Sequence, residues 1–128
     1  MTARHAVLAF VAMGCAATAL AQKPADVAHG KEVFEHYCKP CHGEGRGDDG
    51  APLLPGTHAL TLKYRGQKPG LLEERTDLPP ELIKAFVRSG VASMPPFRKT
   101  EVTDTDLDAV AAYLADTANR RKIGGTKR

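Results

Sequence analysis

Val27, Gly30, Phe34, Tyr37, Cys38 and Cys41 recur at steps of three or four along residues 25–42, ADVAHGKEVFEHYCKPCH. That spacing places them on one face of an amphipathic helix. The next stretch, GEGRGDDGAPLLPG, is too rich in glycine and turn residues to continue it. From there to Asp77 no firm period is visible, which predicts loop with a short helix near Ala59 to Tyr64. Period returns in LPPELIKAFVRSG: Leu82, Ile83, Phe86 and Val87 make a buried stripe, Pro80 suits the first turn, and Gly90 suits the position after the last.

VASMPPFRKTEV is irregular again, with paired prolines. A last helix is expected from Thr103 or Asp104. Asp104, Asp106 and Asp108 complement its positive end. Leu107, Val110, Ala111 and Leu114 form its apolar side, with Tyr113 at the margin. No alternating strand pattern and no internal repeat appears, so the class is all-α: three main helices joined by long loops. Three helices in a chain this short bury little apolar area. Long loops in a compact domain usually wrap something, and a large apolar cofactor would supply the missing core.

The chain has 128 residues, and its first 21 differ from the rest. Arg4 and His5 precede an uncharged apolar run, Ala6 to Ala17, and Ala19-Leu20-Ala21 has the small-x-small form of a signal-peptidase site. A membrane-spanning helix needs roughly 20 apolar residues, more than this run supplies. The expectation is export to the periplasm, with cleavage before Gln22 and no stable membrane span afterwards. An uncleaved anchor and a lipidated Cys15 are the alternatives; Ala12 and Met13 fit a lipobox poorly. The domain then runs over 22–119, followed by a basic, flexible tail at 120–128.

Removal of residues 1–21 leaves two cysteines, Cys38 and Cys41, too few for a disulfide framework or a four-thiolate zinc site. The formal net charge of +3 also divides unevenly. Five basic residues sit in the tail, while residues 22–119 carry 12 basic against 15 acidic side chains. The tail has no interleaved aromatic residues, so it reads as a solvated end rather than a nucleic-acid surface.

Cys38, Cys41 and His42 stand at i, i+3 and i+4, so their side chains leave one side of a helix. Two thiols at that spacing reach the two vinyl groups along one haem edge while the imidazole reaches the iron. C-x-x-C-H is the attachment signature for c-type haem. A thioredoxin-like site needs a βαβ context, which is absent, and His29, His36 and His58 do not pair into a zinc site. The iron's sixth position falls to Met94, the one methionine after residue 21, in a loop stiffened by Pro95 and Pro96. His58, His29 and His36 are the rivals, and a core-filling role is the plainer reading of a single methionine. His/Met ligation favours reduced iron and leaves no open coordination position. No nucleophile elbow, carboxylate pair or phosphate loop is present; Glu73-Glu74 and Asp48-Asp49 read as solvated loop charges. One-electron transfer without substrate chemistry is the expected role.

These residues resemble the class I cytochromes c over nearly all of the chain after residue 21. GKEVFEHYCKPCHG is similar to that family's first helix and haem motif, and LDAVAAYL to its last helix. The resemblance implies that Val110 and Tyr113 cross the first helix near Gly30, and that one covalent haem c is held by Cys38, Cys41, His42 and Met94. It implies also that the Pro52 carbonyl in APLLPG accepts the Nδ1–H of His42. The chain has no tryptophan, so a haem-propionate partner of that type is missing; Tyr64 and Arg65 are the candidate replacements. Residues 63–104 resemble, more narrowly, the cytochrome subunit of flavocytochromes of the p-cresol methylhydroxylase type. That likeness implies a redox partner, a flavoprotein dehydrogenase that passes electrons singly to the haem. Lys39, Pro40, Ala92, Ser93 and Pro95 are the expected docking surface. A free periplasmic carrier, an open-iron haem enzyme or gas sensor, and a thiol-redox protein using Cys38 and Cys41 stand as the alternatives.

Overall fold

A computed structural model describes residues 26–125; the expected signal peptide and residues 126–128 lie outside them. Asp26 caps the first helix, its carboxylate accepting from the N–H groups of Ala28 (2.9 Å) and His29 (3.2 Å). Helix α1 (Val27–Val33) runs without a break through a π-helical turn (Phe34–Cys38) into α2 (Lys39–His42). The wide turn has a local cause. Pro40 cannot donate to the helix and its ring crowds the carbonyl four residues back, which lies inside that turn. Because the π turn breaks the 3.6-residue register, the face expected to run straight from Val27 to Cys41 divides. Gly30, Val33 and Phe34 are buried, while Tyr37 and Cys41 are exposed.

Helix α3 spans Pro55–Tyr64, longer than the short helix expected near Ala59. Proline at its first turn is pre-set for a helix, and Arg65 closes it in the left-handed conformation (φ 48°). Only Thr57 of this helix is buried, so no apolar stripe announces it. Helix α4 (Pro80–Ser89) has its expected bounds but buries half the expected stripe. Ile83 and Val87 face the core, whereas Leu82 and Phe86 are each 38 % exposed.

Helix α5 (Asp104–Gly125) begins where anticipated, with Thr103 and Asp106 bonded reciprocally across its first turn, and continues through residues 120–125. Leu107, Val110, Ala111 and Leu114 are all buried, and Tyr113 is buried with them rather than marginal. Helices α1 and α5 cross at Gly30, where a β-carbon would lie 2.0 Å from the carbonyl oxygen of Ala109 and 3.1 Å from the Tyr113 β-carbon. The crossing therefore uses Tyr113, as expected, with the Ala109 carbonyl nearest to Gly30 and Val110 buried in the same core. Phe34, with no exposed surface, meets the Tyr113 ring at 5.5 Å.

One apolar cluster joins Val33, Phe34, Ile83, Val87, Val102, Leu107, Val110, Ala111, Tyr113 and Leu114. The long segment after α3 is fastened over α5 by polar contacts: Glu73 takes the Tyr113 hydroxyl hydrogen, and Arg121 binds Glu74 (3.3 Å) and the Glu73 carbonyl (3.1 Å). Among the described residues there is no strand beyond an isolated bridge, and no helix is long and apolar enough to cross a membrane.

Candidate functional site

Cys38 is half-buried and Cys41 exposed, and both thiols are free. Burial, then the neighbouring Cys41, pushes the Cys38 thiol up to about 11. A thiol held that high is protonated at neutral pH and is a poor attacking group. His42 closes α2, and burial holds its imidazole below the ordinary histidine value. The neutral ring is the form that binds a metal ion.

The start of α3 positions that ring. Thr57, buried, donates its hydroxyl hydrogen to the carbonyl of Gly43 (3.0 Å), docking α3 on the end of α2. Gly56 then lies directly against the imidazole. Neither residue stood out in the sequence, although proline-x-leucine-x-glycine at 52–56 marks a place where backbone comes close. His42 Nδ1 is buried here without a hydrogen-bond partner, so the bond expected from the Pro52 carbonyl is not formed. Gly56 lies against the ring in its place, and Pro52 is exposed.

Met94 sits in a tight turn at the end of α4. Val91 and Met94 exchange both backbone hydrogen bonds (3.0 and 2.9 Å) around Ala92 and Ser93, with Ala92 at φ 51°. Gly90, at φ 68°, leaves no room for a side chain: a β-carbon would stand 2.7 Å from the Met94 carbonyl oxygen. Phe97 N–H returns to the Val87 carbonyl (2.8 Å), closing the loop back onto α4.

Cys38, Met94 and Phe97 pack, half-buried, against the same apolar cluster, and the Phe97 ring meets Tyr37 edge-on at 6.1 Å. The attachment motif and the methionine loop are thus neighbours on one core. Tyr37, Leu82, Phe86 and Val91 remain uncovered by protein, between 37 % and 46 % exposed. Free thiols at i and i+3, a neutral imidazole with an unpartnered buried nitrogen, a thioether and uncovered apolar side chains fit a covalently bound haem. Among the described residues no three His, Cys, Asp or Glu side chains group to hold a metal ion.

His29 Nε2 lies 2.6 Å from the Asp106 carboxylate, His36 is exposed, and His58 is half-buried on α3. Tyr64 carries the Arg75 guanidinium 4.5 Å over its ring, and Arg65 is exposed at the helix end. Arg75, buried and bonded to Asp77 (2.9 Å), was not legible as a structural centre from sequence.

Residues 25–114 match the family described as cytochrome c oxidase, cbb3-type, subunit III. Cytochrome c6 of Synechocystis sp. is 35 % identical over 103 residues, covering 80 % of this chain and 72 % of that protein. Cytochrome c6 of Leptolyngbya boryana is 34 % identical over 97 residues, covering 75 % of this chain and 98 % of its own. Cytochrome c6 of Cyanidioschyzon merolae is 32 % identical over 96 residues, 75 % of this chain and 79 % of its own.

Proposed function

From the premise that the chain belongs to the class I c-type cytochromes, electron carriers with one covalent haem c, we propose how its residues divide the work. Cys38 and Cys41 provide the two thioether links, His42 and Met94 the two axial ligands. When bound, the haem supplies a reversible one-electron couple. His42, which burial keeps neutral, and Met94 would ligate the iron, and nearby apolar side chains would shield the haem from water. A histidine–methionine pair raises the potential and leaves no vacant position for oxygen or peroxide. The observation that carries this reading is the packing of Cys38 and Met94 against one apolar cluster.

Optical spectra of the protein exported from a host that matures c-type haem test it, oxidised and reduced, for wild type and Met94→Ala. The expected result is a low-spin covalent haem that loses its methionine–iron absorption in the variant. Binding of carbon monoxide by the reduced wild type would replace this reading with an open-iron one.

The proposed electron donor is a flavoprotein dehydrogenase of the p-cresol methylhydroxylase type; the likeness of residues 63–104 supports it. Lys39, Pro40, Ala92, Ser93 and Pro95, all exposed, form the proposed contact surface. Ala92→Asp is expected to slow flavin-to-haem transfer with an unchanged haem spectrum; unchanged transfer would discard that surface. Failure of a flavoprotein to co-purify would favour a freely diffusing carrier. Export to the periplasm with cleavage before Gln22 is supported by the basic start, apolar run and Ala19-Leu20-Ala21 of the sequence. The mass of the exported protein checks it.

A further inference from the structure

The segment that carries Met94 has few apolar anchors of its own. Ala92, Ser93, Pro95 and Pro96 are exposed, and Met94 and Phe97 are half-buried. At its near end Gly90 presses against the Met94 carbonyl. At its far end one side chain of α4 adds to the packing of the Phe97 ring on the core. Arg88, in the last turn of α4, donates one Nη1–H to the Phe97 carbonyl (3.0 Å) and one Nη2–H to Asp104 Oδ1 (2.8 Å). Lys99 donates to the other oxygen of Asp104 (2.6 Å). The Phe97 N–H already binds the Val87 carbonyl, so α4 grips this residue through both its backbone polar groups.

Arg88 is 23 % exposed and Asp104 60 % exposed. An ion pair as open as this one contributes little by itself. Its effect is geometric. The guanidinium is a rigid planar fork, so fixing one prong on Asp104, at the start of α5, aims the other at Phe97.

We propose that Arg88, braced by Asp104, is a positioning residue for the iron's sixth ligand: it holds the Phe97 end of the loop onto α4 and α5, and so sets how readily Met94 yields to a competing ligand. The inference rests on Met94 being that ligand. A competitor binds only the fraction of molecules whose loop has opened, and its apparent affinity scales with that fraction. Loss of a charge-assisted hydrogen bond that closes the loop raises the open fraction, and with it the affinity, about tenfold.

The test is a titration of the oxidised holoprotein with imidazole, followed by haem absorption, with far-ultraviolet circular dichroism on every sample. Arg88→Leu is expected to bind imidazole about tenfold more tightly than wild type at unchanged helicity. Asp104→Asn should move the same way by less, and Arg88→Lys should recover part of the loss. Adding Arg88→Leu to Met94→Ala should change nothing further. Affinity within about twofold of wild type for folded Arg88→Leu overturns the proposal. Should that variant fail to fold, wild-type affinity in Asp104→Asn overturns it instead. Failure of the underlying reading looks different: Met94→Ala itself would then leave the imidazole affinity unchanged.

Discussion

Gly56 and His42 are in such close contact that a β-carbon on the glycine would stand 2.6 Å from Cε1 and 2.7 Å from Nδ1 of the imidazole. The same β-carbon would meet the Cys41 carbonyl at 2.8 Å. Even alanine must therefore push the ring or lift the start of α3 off α2. Overpacking of this kind costs about 1–3 kcal/mol. Gly56→Ala is expected to lower the denaturation midpoint of the holoprotein and disturb the low-spin spectrum together. An unaltered spectrum with full stability would show that the contact is not what orients the ring.

At Gly30 two effects oppose each other. In a free helix, alanine is favoured over glycine by about 1 kcal/mol. Here the new methyl would lie 2.0 Å from the Ala109 carbonyl oxygen, and backbone cannot rotate away. Gly30→Ala should therefore destabilise by about 3 kcal/mol or more, by separating α1 from α5. Urea denaturation decides it by the sign alone, since a gain in stability would mean that the two helices do not cross so closely.

Ala92 holds a left-handed conformation, φ 51°, that costs a residue with a β-carbon about 1–2 kcal/mol. Glycine removes that cost but loses more chain entropy on folding. Ala92→Gly is expected to raise stability by about 0.5 kcal/mol. Ala92→Val should lower it, because a branched side chain tolerates positive φ least. Thermal melts of the two variants in parallel check the opposite signs.

Asp77 carries a pH dependence. Hydrogen bonding from Arg75, and then from Lys68, holds its carboxyl well below the usual carboxylate range. A group whose folded pKa is depressed stabilises the fold above its unfolded value and loses that contribution as pH falls through the folded one. Wild-type stability should therefore decline as the solution is acidified below the ordinary aspartate value of 3.8. Asp77→Asn should show a shallower decline and a lower plateau at neutral pH. Parallel acid profiles of denaturation midpoint would refute this if they coincide in slope.

The buried side of α5 was legible because Leu107, Val110, Ala111 and Leu114 repeat on one face of a helix without interruption. α3 was not. Its residues bury only Thr57, so its existence depends on Pro55 at the first turn and on docking to Gly43 rather than on any stripe. In α4 the period marked Leu82 and Phe86 as strongly as Ile83 and Val87. It could not tell which of them face α5 and which are left uncovered.

Sequence alone determined the local chemistry: two thiols and an imidazole at i, i+3 and i+4, a lone methionine before paired prolines, and the apolar face of α5. Those follow from short-range geometry, which residue order fully specifies. Tertiary structure decided where distant backbone meets. The π turn divides the first helix's apolar face, Gly30 seats on the Ala109 carbonyl, Gly56 covers the His42 ring, and Arg88 reaches Phe97 and Asp104. Such contacts join residues far apart in the chain, and only the packing of helices around a shared core brings them within reach.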